Sequence, residues 1–314
     1  MTRPETLRSR LCGPIVGLPT LFHENLEINH AGMKAHVDFL IENGIRVLLV
    51  SLGISEYPYL MEEEVRQVTR TVVEAAAGRA TVIVSTGLWW TGGSVDFARY
   101  AQSVGVDGLL VVAPFHPYHP RYDPAIHNEA LYRHFAAVAE AVDIGVLIHE
   151  KALPGYSGAK APFSLSLIRR LAEIDNVVGM KEEGGDFNYQ IEILTAVGDR
   201  IAVIDDSGKV SFLYTYPLGS PAYVSGIGQF APQSSIRFWN HLTRGELEQA
   251  RQMIARVEIP YSTKIVELGW VGAIKAAMEF RGLPGGPMRA PGVGLFPQQK
   301  EAFRQFLQQL GLLE

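Results

Sequence analysis

Eight short apolar runs recur along the chain, at 13–18, 45–51, 81–85, 108–113, 145–149, 177–181, 201–205 and 222–225. Each is rich in Val, Ile and Leu and is apolar on both faces. Strands buried on both sides of a parallel sheet have this composition. Between the runs the apolar spacing changes to that of a helix. Met33, Val37, Leu40 and Ile41 share one helical face and are followed by Gly44; Val65, Val68, Val72 and Ala76 share another, ending at Gly78. The same spacing predicts helices near 94–104, 126–142, 164–174, 187–197, 207–217 and 233–243. Eight strand–helix units predict an α/β fold, a closed (β/α)8 TIM barrel. The alternative, an open doubly wound sheet, usually has a glycine-rich turn after its first strand, and here that turn reads PTLFHEN.

The predicted barrel occupies 1–244 and carries the site. A helical extension, 245–314, follows, with helices expected at 246–257, about 263–280 and 298–310. The Pro/Gly-rich stretch RGLPGGPMRAPGVG (281–294) joins the last two.

Composition narrows the classes of function. The 314 residues hold 28 Lys and Arg against 33 Asp and Glu, a formal charge of −5, so no nucleic-acid or membrane partner is expected. The single cysteine, Cys12, excludes an intramolecular disulfide. The opening MTRPETLRSRLCGP lacks the apolar core of a secretory leader, and no run approaches the ~20 apolar residues of a membrane helix. The expectation is a cytoplasmic enzyme.

In such a barrel the chemistry belongs at the C-terminal ends of the strands. Lys181 closes the run NVVGMK. Burial there disfavours its charged form, and a neutral amine attacks a carbonyl to form an imine that acts as an electron sink. The alternative is a structural ion-pair partner for nearby carboxylates. His149 ends the preceding strand, either as a proton shuttle or as a hydrogen-bonded pocket histidine. His116 and His119, in HPYH, raise a metal hypothesis, but their spacing is wrong for a helical zinc pair, and no metal is expected. Asp205 and Asp206 suit a substrate hydroxyl, a cation or an acidic helix start. Trp89 and Trp90 suit a pocket wall, loop packing or a subunit contact.

Five segments, in order, resemble those of the dihydrodipicolinate synthase / N-acetylneuraminate lyase superfamily: LGISEYPYLMEEE, VDGLLVVAPFHP, NVVGMKEEGGD, PLGSPAYVSGIGQFAP and GLPGGPMRAP. The resemblance implies a Schiff-base lyase on Lys181 that takes a small-molecule 2-oxo acid, needs no cofactor beyond that covalent imine, and assembles as a homotetramer (a dimer of dimers) or a dimer. It also implies a substrate site formed by Gly53, Ile54, Ser55, Glu56, Trp89, His116, Glu150, Asp205, Ser225 and Gly226.

Several positions depart from the family pattern. Gly53 and Ile54 stand where the resemblance expects hydroxyls that hold the oxo-acid carboxylate. His149 replaces the proton-passing tyrosine, Glu150 the following asparagine, and His116 a second aromatic residue. Tyr156 stands where dihydrodipicolinate synthases place an arginine. The wording resembles most the sugar-acid dehydratase and aldolase branch, with a substrate bulkier than the synthase's. The alternatives are 4-hydroxy-tetrahydrodipicolinate synthase proper and a non-catalytic metabolite-binding barrel.

Overall fold

The computed structural model describes residues 2–51, 53–87, 90–114, 124–150, 163–183 and 186–313, with the backbone alone for 124–127. Eight parallel strands hydrogen-bond in chain order and the sheet closes: β1 (Gly13–Gly17), β2 (Val47–Val50), β3 (Thr81–Ser85), β4 (Gly108–Val112), β5 (Gly145–Glu150), β6 (Val177–Glu182), β7 (Ala202–Asp205) and β8 (Ala222–Val224). The fold is the (β/α)8 barrel. The strands are buried almost throughout because both faces of each pack, one inward and one against helices.

The helices are α1 (Pro4–Arg10), α2 (His30–Glu42), α3 (Glu62–Ala76), α4 (Thr91–Ser103), α5 (Pro124–Glu140), α6 (Leu165–Ala172), α7 (Phe187–Val197), α8 (Lys209–Thr215), α9 (Pro232–Thr243), α10 (Leu247–Met253), α11 (Ile259–Glu267), α12 (Trp270–Phe280) and α13 (Pro297–Gln309). No helix among the described residues is long and apolar enough to cross a membrane.

The chain packs as two compact units, Met1–Cys12 with Ile83–Val224, and Gly13–Val82 with Ser225–Glu314. In the first unit, α1 starts on Pro4 and ends on Arg8 and Arg10, as its dipole favours. Its Leu7 is fully buried. It lies so close to the first residues of β4 and β5 that a Cβ on Gly108 would stand 2.4 Å from its Cδ2, and one on Gly145 2.6 Å. These glycines give α1 its seat under the strands. On the outer shell, Ser164 caps α6 by accepting from Leu167 N, and Asp186 caps α7 by accepting from Tyr189 N.

In the second unit, α3 shows how the periodicity works. Val65, Val68, Val72 and Ala76 are buried, Glu62, Glu63 and Glu64 fill the first turn, and Ala77 closes the helix in the left-handed region. The tail departs from the predicted pattern of three helices. The helix expected near 263–280 is broken, because Gly269 sits at φ +76 and starts α12 afresh. A π-helical turn, Ile254–Glu258, carries the chain from α10 into α11.

Candidate active site

Strand pairing dictates which side chains meet. His149 on β5 pairs with Lys181 on β6, Glu150 pairs with Glu182, and Glu182 pairs with Asp205 on β7. Register partners point to the same side of a sheet and sequence neighbours to opposite sides. His149 and Lys181 therefore share one face, and Glu150, Glu182 and Asp205 share the other. Asp206 N donates to Glu182 O and Glu183 N to Glu150 O, so the alternation runs past the strand ends and returns Glu183 and Asp206 to the side of Lys181.

Lys181 is only 4% exposed. Its Nζ lies 2.5 Å from Asp206 Oδ2, 3.1 Å from Glu183 Oε2 and 3.0 Å from His149 Nε2. His149 Nε2 is in turn 2.9 Å from Glu183 Oε2. One proton on Nε2 cannot serve both neighbours. Either histidine donates to Glu183, or it accepts from the ammonium, and the triangle supports both arrangements.

The electrostatics differ from the sequence expectation of a depressed lysine. Burial pulls the Lys181 ammonium toward its neutral form, but Asp206 and then Glu183 outweigh it, so its pKa moves upward. The resting group is a clamped ammonium. Its partner moves too: burial pushes the Asp206 carboxyl up to about 7, with Lys181 opposing and Glu183 reinforcing.

The other face is structural. Glu150 Oε1 accepts from Phe163 N at 2.9 Å and lies 3.1 Å from the Tyr189 hydroxyl. Burial raises Glu150 to about 7. Glu182 accepts from Gln190 on α7. Asp205 accepts from Ser207 N at 2.9 Å, Ser211 Oγ at 2.6 Å and Thr215 Oγ1 at 2.7 Å. Burial raises its pKa as well. These three carboxylates tie the outer helices to the strands. The structure does not bring Glu150 and Asp205, predicted as substrate ligands, to the amine, because strand alternation turns them away.

Of the remaining predicted ligands, Gly53, Ile54, Ser55, Glu56, Ser225 and Gly226 are described, and they belong to the second unit. Gly53–Ser55 is a single turn of 3-10 helix. Ile54 is buried within it, at 3% exposure. Ser55 Oγ donates to Leu18 O at 2.5 Å, and Thr20 Oγ1 donates to Ser55 O at 2.7 Å. The hydroxyl expected to grip a carboxylate is thus engaged with the backbone after β1. Glu56 ends the turn in the left-handed region, φ +53. Its buried carboxylate forms an ion pair with Lys275 on α12 and accepts from Arg289 N at 3.1 Å. Lys275 also donates to Pro287 O at 2.8 Å. Arg289 grips both oxygens of Glu64, and Lys275 and Arg289 each stack a cation on the Phe22 ring. Ser225 Oγ is 2.7 Å from Ser235 Oγ and accepts from Gly228 N, while Gly226 opens a 3-10 turn.

Trp89, His116, His119 and Tyr156 lie outside the described residues, while Trp90 is 76% exposed at the start of α4. Among the described residues no cluster of three His, Cys, Asp or Glu is arranged to hold a metal ion. A cleft of about 600 Å³ opens at the other end of β6 and β7, between Arg8, Asp175 and Arg200, and does not include Lys181. Sequence reasoning passed over Glu183 and Asp206 as ligands of the amine. Counting parity from Lys181, and from Ile204, its register partner on β7, would have found both.

Comparison with known proteins adds the lineage. The model of the dihydrodipicolinate synthetase family matches residues 10–310. The chain belongs to that family. A 4-hydroxy-tetrahydrodipicolinate synthase of Mycolicibacterium paratuberculosis is 30% identical over 94% of this chain and 93% of its own. A probable 5-dehydro-4-deoxyglucarate dehydratase of Acidovorax ebreus is 26% identical over 98% of each chain. The crystal structure of dihydrodipicolinate synthase from Oceanobacillus iheyensis superposes with a TM-score of 0.85 at 25% identity, covering 98% of this chain and 99% of that one. As a dihydrodipicolinate synthetase family member, the chain is a lyase.

Proposed function

We propose that this family member is a Schiff-base lyase, an aldolase or dehydratase, that acts on a 2-oxo acid or related carbonyl substrate through Lys181. One observation carries the reading: a buried primary amine at the C-terminal end of β6 touches three groups able to take its protons. Once neutral, the amine attacks the substrate carbonyl. His149 relays protons through the carbinolamine. Ionisation beside the iminium then cleaves a C–C bond or expels a hydroxyl. The iminium is itself the electron sink, so the cycle calls on no metal or organic cofactor. We place the enzyme in the cytoplasm and expect a homotetramer or dimer, which sedimentation would measure.

Borohydride added during incubation with pyruvate or 5-dehydro-4-deoxyglucarate should reduce the imine to a stable adduct. Mass spectrometry is expected to find that adduct on Lys181 and none in Lys181→Ala. Failure of every 2-oxo acid tried to leave an adduct would refute the reading.

The 30% identical synthase favours a second reading, 4-hydroxy-tetrahydrodipicolinate synthase proper. Gly53 and Ile54 where hydroxyls are expected, and the engaged Ser55 hydroxyl, weigh against it. An assay with pyruvate and the aspartate-derived aldehyde decides between them.

A further inference from the structure

We propose that Asp206 is the catalytic base that frees the Lys181 amine and the acid that later expels water. The inference rests on the Schiff-base reading above and deepens it. A clamped ammonium has no lone pair, so its proton must leave before attack. Three acceptors are in contact, and the geometry separates their roles. Glu183 Oε2 is shared between Lys181 and His149, which fixes it as the brace of the triangle. His149 Nε2 faces the same two groups. Asp206 Oδ2 makes the shortest of the three contacts, 2.5 Å, and its side chain, 14% exposed, is more enclosed than that of Glu183 at 32%. Its raised pKa brings the carboxyl near the pH at which a group accepts and returns a proton with equal ease.

The step balances without a further reactant. The ammonium gives a proton to the Asp206 carboxylate, and the neutral amine adds to the carbonyl carbon while the C=O electron pair moves to oxygen. His149 carries a second proton from nitrogen to that alkoxide, giving the carbinolamine. Asp206 returns its proton to the hydroxyl, which leaves as water as the nitrogen lone pair forms the C=N bond. The iminium keeps one N–H, and Asp206 ends as the carboxylate it began as.

Two measurements on Asp206→Asn test this. Competitive labelling with 2,4-dinitrofluorobenzene reads the nucleophilicity of Lys181. It should rise, because removing the nearest negative charge frees the amine from its ion pair. Rapid-quench borohydride trapping with pyruvate reads imine formation. It should fall about 100-fold, because the proton carrier is gone. Asp206→Glu should recover most of the trapping rate, and Glu183→Gln should lose far less of it. Labelling and trapping that both accelerate would make Asp206 a mere counter-ion and overturn the assignment, as would an unchanged trapping rate.

Should the Asn variant fail to fold, the pH profile of trapping in the unaltered enzyme and in His149→Ala decides. A rise near neutrality that persists in His149→Ala supports Asp206, and one that vanishes with the histidine, or that follows only a group titrating far into the alkaline range, overturns it. The groups facing this carboxyl are Lys181 and Glu183 from β6 and its end, with His149 on β5 beside them. A wild-type enzyme that traps no oxo acid defeats the Schiff-base reading itself. A wild-type adduct with an unaltered rate in Asp206→Asn defeats only the present inference.

Discussion

His149 and Lys181 are register partners on adjacent strands, and their side-chain nitrogens stand 3.0 Å apart. Backbone pairing places the two side chains next to each other on one face of the sheet. In His149→Ala the amine keeps both carboxylates, so the borohydride adduct should still form. Steady-state turnover should fall about 10²- to 10³-fold, since proton relay is what is lost. Full turnover in that variant would remove histidine from the relay.

The ion pair between Glu56 and Lys275 is sealed, with side chains 1% and 2% exposed. Lys275→Met would leave a buried carboxylate without its cation. Unfolding in urea should show a loss of about 3–5 kcal/mol. By contrast, removing Arg251, whose partner Glu248 is solvent-exposed on the same helix, should not change the midpoint measurably. Equal effects from the two substitutions would show that burial does not govern the value of the Glu56 pair.

Glu150 gives the stability curve a specific pH slope. The folded chain keeps the Glu150 proton up to about pH 7, while the unfolded chain releases it near 4.5. Folded protein thus binds more protons in this window, and stability falls as pH rises from 4.5 to 7, by at most about 1.4 kcal/mol per pH unit for one group. Glu150→Gln keeps an acceptor for Phe163 N–H and should lessen that slope by its own share, leaving the part that Asp205 and Asp206 contribute with the same sign. A melting-temperature series from pH 5 to 8 checks it.

Gly108→Ala should destabilise the first unit by about 1–3 kcal/mol, because its Cβ meets the end of the fully buried Leu7 side chain. Shortening Leu7 makes room. In a double-mutant cycle the pair Leu7→Ala and Gly108→Ala should therefore cost less than the sum of the two singles.

The barrel was legible in the sequence because parallel strands buried on both faces leave continuous apolar runs, and all eight runs coincide with strands. The tail was less so. The apolar spacing over 263–280 continues across Gly269, and only the backbone shows that this glycine takes a left-handed turn. At the site, Lys181 and His149 could be picked from their positions at strand ends. The two acids beside them could not be chosen from composition, because Glu182–Glu183 and Asp205–Asp206 each offer two identical side chains in a row. Which member faces the amine is a matter of parity, set by hydrogen bonds between strands. The lysine's charge state was misjudged for the same reason. Burial was visible in the sequence, and an ion pair with nearby carboxylates was the alternative, but that Asp206 and Glu183 together outweigh the burial was not visible.

The back-to-back carboxylates have a consequence for how such an enzyme responds to substitution. At the ends of β6 and β7 one acid of each pair touches the amine, and its neighbour anchors the shell through Gln190, or through Ser211 and Thr215. Recognition and cohesion are thereby assigned to separate letters of the same short words. A change in the inward letter should therefore be felt in the chemistry, and a change in the outward letter in the stability of the scaffold.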